Sequence, residues 1–338
     1  MTHIIYKQWI NNSMLLFKIL VLTFSFANLS SCTEVNNYYA TEGLGKVNVY
    51  IEGNITNEQA QAKLATEIGT ITENIYIENT SVLNNIALEV PTTIRKIAFS
   101  NNTALQQIAI HGIGSMPFCS LSVGGKVVEN ITINGITELQ NVMISGATTN
   151  ATTLLCHDLV KINSEFSCYF SNSYTNSMSF FDLEEVSPSH QNFSTWEGKF
   201  SVFHLPVLTT LSEVEINLTI PILQLPELEQ AIAITAGYYG YLGIQHIYFP
   251  NLTHCSFLKF RDDSKQVVVD LPALTFCLNY QTRIGLESAG VNALLHKFLT
   301  IQPPSGKNIF VEEDGPPTGQ GLLDKQTLIN QGNQVVTN

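Results

Sequence analysis

Cys156-His157-Asp158 sets a thiol, an imidazole and a carboxylate side by side. These are the residue types of a nucleophilic triad. Neighbours on an extended chain point to opposite faces, however, so the three cannot converge on one substrate atom. None of the eight histidines lies in a His-Glu-x-x-His helix motif. Carboxylates occur together at Glu184-Glu185, Asp262-Asp263 and Glu312-Glu313-Asp314. Polysaccharide cleavage would need such groups gathered on one face beside a Lys, Arg or His. Glu184-Glu185 and Asp262-Asp263 do not recur at a regular step, so these groups read as solvated loops and no catalytic residue is assigned. Asp262-Asp263 lacks the spacing of a calcium loop. Cys119, Cys156, Cys168, Cys255 and Cys277 are odd in number and form no Cys-x-x-Cys, which speaks against structural zinc. Buried free thiols are the default, with a Cys156–Cys168 pair left open. No metal and no cofactor are expected.

Aromatic side chains are the stronger candidates for contact with a ligand. Tyr238-Tyr239-Gly240-Tyr241 lies between Gly237 and Gly243, as an aromatic, glycine-rich loop would. Trp196 stands in an irregular stretch rich in Phe and Tyr. Flat rings bind sugar faces and protein hot spots alike. Trp196, Tyr238, Tyr239 and Tyr241 are therefore the candidate ligand-binding residues, against the competing reading that they fill a core.

These groups sit in a chain of 338 residues with a formal net charge of −12. An acidic chain without a Lys/Arg cluster argues against nucleic acid as a partner. Only 13% of residues are charged, against roughly 25% in an ordinary soluble domain. Asn, Thr and Ser supply the polarity instead, which suits a β-rich protein outside the cytoplasm.

The amino terminus carries an export pattern. Lys7 and Lys18 precede an apolar run over residues 19–29, too short to cross a bilayer as a helix. Leu29-Ser30-Ser31-Cys32 follows and resembles the lipobox of bacterial lipoproteins. The resemblance implies cleavage before Cys32 and lipidation of Cys32, with the acyl chains as the membrane anchor. Residues 1–31 are then a signal peptide and 32–40 a lipidated tether. The expected location is the bacterial outer membrane, on either side of it.

The elements that must position any site are read from a repeat. Ile75, Ile86, Ile97 and Ile108 are spaced evenly, and Ile77, Leu88, Phe99 and Ile110 keep the same step. Each apolar-x-apolar pair has the period of a strand. Two steps make a unit of about 22 residues: Ile-x-Ile, an Asn-rich turn, then Leu-x-x-Ile-x-Ile, with Leu83, Leu105 and Leu139 as the leucines. A second form, apolar-Pro-x-Leu, recurs at Leu205-Pro206, Leu225-Pro226, Phe249-Pro250 and Leu271-Pro272. Proline there fits a turn after a strand. Cys255 and Cys277 occupy equal places in successive units and should stack inward. Toward the end, Ser288 is expected to cap a helix over 289–298. A strand at 308–311, a helix over 320–330 and a strand at 335–336 should follow.

This pattern resembles the leucine-rich-repeat-like surface proteins of the BspA type, envelope lipoproteins of Bacteroidetes. The resemblance covers roughly 60% of the chain beyond the signal and is weak over 150–204 and 253–285. It implies a mainly β, right-handed solenoid of parallel coils over 41–285, irregular near 150–204, with a small α/β cap over 286–338. The implied function is non-catalytic recognition of a protein or glycan through one face. A polysaccharide-degrading enzyme of the parallel β-helix class and a structural envelope component are the alternatives.

Overall fold

The computed structural model describes residues 43–146, 149–170, 174–187, 194–237, 243–263 and 267–338. The chain is mainly β, with 52% strand against 12% helix. Every strand pairing among the described residues is parallel, and seven strands close into a ring.

The first ladder runs the length of the described chain. It takes β1 (Asn48–Gly53), β2 (Asn74–Thr80), β4 (Lys96–Asn102), the end of β5 (Gln107–Gly125) and the end of β6 (Asn130–Ser145). It continues through β9 (Phe166–Tyr169), β12 (Ser194–His204), β13 (Thr210–Gln224) and β14 (Gln230–Ala236). Next come β16 (His254–Arg261), β18 (Asn279–Arg283), β19 (Asn308–Val311) and β20 (Gln334–Thr337). A second ladder starts at β3 (Asn85–Val90) and passes through the beginnings of β5 and β6 to β7 (Thr153–Cys156), β10 (Asn176–Phe180) and the end of β12. The same side is taken up again by the end of β13, β15 (Gly243–Tyr248) and β17 (Val268–Asp270). A third, short ladder joins Met116, Leu139, β8 (Lys161–Ile162), β11 (Glu185–Val186), Leu211, Ala231 and Cys255. The long strands β5, β6, β12 and β13 take part in more than one ladder, which links all of them into one network.

Alternation decides which side is buried. In β3 the pattern is strictly exposed-buried, and Ile86, Leu88 and Val90 face in. Ile75 pairs with Ile97, then Leu121, Val142 and Phe166 follow in the same buried column. Each such side chain contributes about 1.5–3 kcal/mol on burial, so a slip of one residue would expose a whole column.

The turns explain the Asn-rich and Pro-containing motifs. Asn79 and Asn101 adopt φ of 55° and 54°, a left-handed conformation that Asn tolerates. Asn102 is buried beneath the turn. Its amide donates to the Ile77 carbonyl at 2.8 Å and its Oδ1 accepts from the Thr80 N–H and hydroxyl. In the proline motifs the second leucine closes the turn on the residue before proline, as from Leu228 N to Leu225 O and from Leu252 N to Phe249 O. Cys255 and Cys277 are buried and successive in the third ladder, where Cys255 N donates to Phe276 O.

Across 150–204 the strands stay paired with their neighbours, with one register shift between Asn176 and Ser177 of β10 against β12. The irregularity is one of length: Phe166 and Ser194 lie 28 residues apart on adjacent rungs. The wider space is filled by aromatic rings. Phe166, Phe180, Trp196, Phe200 and Phe203 pack edge to face or tilted.

Helices lie near both ends of the described chain. Helix α1 (Asn57–Glu67) packs on β1 and β3 with Ala60 and Leu64 buried. It begins with a capping box in which Thr56 and Gln59 exchange side-chain and backbone bonds. The repeat pattern does not reveal it, because its apolar face holds only two buried residues. Helices α2 (Ser288–Phe298) and α3 (Gln320–Asn330) pack together after β18. Their places, and those of β19 and β20, match the expected elements. The expected Ser288 cap is corrected: Glu287 is the N-cap residue of α2, with no side-chain cap bond, and Ser288 is the first helical residue.

Candidate functional site

Four of the expected site residues, Cys32, Tyr238, Tyr239 and Tyr241, lie outside the described residues. Trp196 requires a correction. It is fully buried, and its indole N–H donates to the Phe166 carbonyl at 3.1 Å. Its neighbours are Phe166 and Phe203, so it fills the widened core and offers no ring face to a ligand. A position on a strand that alternates inward could have signalled this, since Ser194, Trp196 and Phe200 share the buried side.

Cys156-His157-Asp158 diverges as expected. Cys156 is buried, and its thiol is pushed far up by burial, with Asp182 and Asp158 adding to it. His157 stacks on Phe181 with ring centroids 4.4 Å apart. Asp158 accepts the N–H of Gly135 at 2.9 Å. Cys119, Cys156, Cys168, Cys255 and Cys277 are all free and buried. Glu185 pairs with Lys161 at 3.1 Å. Its carboxyl lies below the usual range, first through the Ser187 hydroxyl and then through Lys161. Among the described residues no group of three or more His, Cys, Asp or Glu side chains could hold a metal ion. No described helix is long and apolar enough to cross a membrane.

The outward face of the first ladder runs from β1 to β20, and it changes character along its length. At the β1 end Tyr50 and Tyr76 stack at 5.0 Å, and the Lys96 ammonium lies 5.2 Å from the Tyr76 centroid. The stack engages one face of each ring and the cation sits over Tyr76, while Tyr50 stays exposed. Midway the face turns acidic, with Glu197 of β12 and Glu215 of β13 on neighbouring strands. Burial first, and Glu215 second, raise the Glu197 carboxyl above its ordinary value. Glu215 accepts from the Asn217 amide at 2.8 Å.

Toward the carboxy terminus the same face becomes basic. Arg261 and Arg283 pair across β16 and β18, with Lys259 opposite Gln281 one step back. Both Arg261 nitrogens reach Asp263 at 3.3 Å. Arg283 approaches Asp263 only to 3.6 Å, an ion pair without a hydrogen bond. Lys259, Arg261, Gln281 and Arg283, with Phe260, Thr282, Phe310 and Glu312, line a hollow of about 190 Å³. A second, apolar hollow of about 530 Å³ lies near the β1 end, where Val47, Ile71 and Phe118 are exposed. Composition concealed the basic cluster, because the chain as a whole is acidic and the cations are spread over residues 259–283. Only the pairing of β16 with β18 unites them.

Against known proteins, the chain matches no protein-family model, no curated protein and no solved structure.

Proposed function

We propose that this chain is a lipid-anchored envelope protein that recognises a glycan or protein through the outward face of its first ladder. In this reading the parallel ladders are a leucine-rich-repeat-like right-handed solenoid of the BspA kind, closed by the α/β cap, and Cys32 carries the lipid. The observation that carries it is the uninterrupted first ladder from β1 to β20, which sets outward side chains in straight columns. Such repeated faces are extended binding surfaces. The step of about 22 residues, as between Ile75 and Ile97 and between Ile86 and Ile108, supports the solenoid. Leu29-Ser30-Ser31-Cys32 supports the anchor.

Two experiments test the two halves. Feeding an alkynyl fatty acid to a bacterium expressing the full chain should label the protein. Cys32→Ala should abolish the label and release the protein from membranes; label that persists in the variant removes the anchor at Cys32. The detergent-extracted full chain should then be screened against immobilised glycans and envelope or host proteins. Saturable binding of one of them is expected, and a screen with no saturable ligand overturns the recognition role.

A further inference from the structure

From the basic hollow on β16, β18 and β19 we infer a binding site for an acidic glycan, one whose sugars carry carboxylate groups. The inference rests on the recognition role above and names its ligand class and location.

The hollow gathers cations in an acidic chain. Lys259, Arg261 and Arg283 meet there in a chain of net charge −12, with Glu312 in the lining, Asp263 beside it and Asp262 buried. The two arginines are direct partners on neighbouring strands. Like charges at this spacing repel and destabilise a sheet, so packing alone gives no reason to place them together. Asp263 relieves the repulsion only in part. It takes two hydrogen bonds from Arg261 and none from Arg283, whose side chain is 46% exposed. Arg283 thus keeps its planar fork of donors for a bidentate acceptor, the shape a carboxylate presents.

The remaining lining suits a sugar. Phe310 sits opposite Gln281 on the neighbouring strand, so an apolar ring and an amide stand one rung from the guanidinium groups. A pyranose has an apolar C–H face and a rim of hydroxyls, and a hollow of mixed lining matches both. The openness of an outward sheet face admits a chain rather than a single enclosed molecule, and the columns continue the surface in both directions along it.

The test uses the full-length protein in detergent. The probes are polygalacturonate, neutral dextran and poly-L-glutamate, and the variants are Arg283→Gln, Arg261→Gln/Arg283→Gln and, at the far end, Arg95→Gln. Polygalacturonate should bind and weaken as salt rises. Arg283→Gln should lose at least about tenfold in affinity, and the double variant more, at a melting temperature equal to or above that of wild type. Arg283→Lys, which keeps the charge without the fork, should fall between wild type and Arg283→Gln. Arg95→Gln should bind as wild type, and dextran should not bind. Polygalacturonate binding that is absent, or equal in wild type and Arg283→Gln, overturns the site. Poly-L-glutamate held as tightly as polygalacturonate overturns the glycan class. Should another glycan or protein from the screen bind wild type and double variant alike, this site falls and the recognition role stands.

Discussion

Oε2 of Glu313 accepts the backbone N–H of Gly285 at 2.7 Å. The same oxygen takes the N–H groups of Ile284 and Leu286, at 2.9 and 2.8 Å, while Oε1 accepts the Thr282 hydroxyl. Glu313 is 2% exposed, and Gly285 holds φ of 84°, a conformation open to glycine. One carboxylate therefore ties the turn between β18 and α2 to the segment after β19. Glu313→Ala would leave four donors without this acceptor, two of them buried and two part-buried, at a cost of roughly 3 kcal/mol or more. Urea unfolding should show the loss, with Glu313→Gln retaining part of the stability. An Ala variant as stable as wild type would sink this account of the cap.

Trp196 tests the core assignment in the same way. Trp196→Ala should destabilise by about 3–5 kcal/mol, the range for removing a large buried aromatic. Trp196→Phe should cost less, losing the bond to the Phe166 carbonyl. At a temperature where each variant is folded, binding of any ligand found in the screen should match wild type. A selective loss of binding in a fully folded Trp196→Phe would return Trp196 to the ligand site.

Five thiols offer a third measurement. Burial pushes Cys119 and Cys277 up to about 12, and Cys156, Cys168 and Cys255 further still. The reactive species is the thiolate, so native protein at pH 8 should be nearly inert to a thiol reagent. In denaturant a Cys32→Ala chain should titrate all five. Rapid labelling of a native Cys32→Ala chain would contradict the burial of these five side chains.

The acidic midsection makes a pH prediction. The folded state raises the Glu197 carboxyl above its unfolded value, so it binds a proton that the unfolded chain has released. Stability linked to this group is present at low pH and falls as pH rises from the ordinary carboxylate range through the folded value. Glu197→Gln should remove that part of the dependence and stabilise the protein at neutral pH. Glu138 and Glu185 act oppositely, because hydroxyl partners lower both, and their contribution fades as pH falls through their folded values. Thermal unfolding of wild type and Glu197→Gln between pH 4 and pH 8 would separate the two. Parallel curves would refute the assignment to Glu197.

Asn102 tests the turn. Its amide satisfies a carbonyl and two donors beneath the left-handed Asn101. Asn102→Ala should cost about 2 kcal/mol, and Asn102→Asp should also destabilise, since it removes the donor to Ile77. Chemical denaturation reads both, and an unchanged midpoint in Asn102→Ala would reject the role.

Much of the architecture was written in local periodicity. Ile75, Ile86, Ile97 and Ile108 showed strand positions and the spacing of the rungs, because a residue that faces inward must be apolar at every rung. Leu-Pro-x-Leu marked turns, because proline cannot serve the ladder. Helices α2 and α3 were legible from their breaks, whereas α1 hid behind a polar composition with only Ala60 and Leu64 turned inward. The proposed ligand site was not legible. Trp196 looked like a contact residue by type, and the parity of β12 put it inside. Arg261 and Arg283 are 22 positions apart and unremarkable in sequence, and the parallel register sets them side by side. Sequence by itself determined the strands, turns and repeat step, since these depend on neighbours along the chain. Tertiary structure alone decided which charges meet, because a surface on parallel strands is composed across rungs, from residues that no local pattern connects.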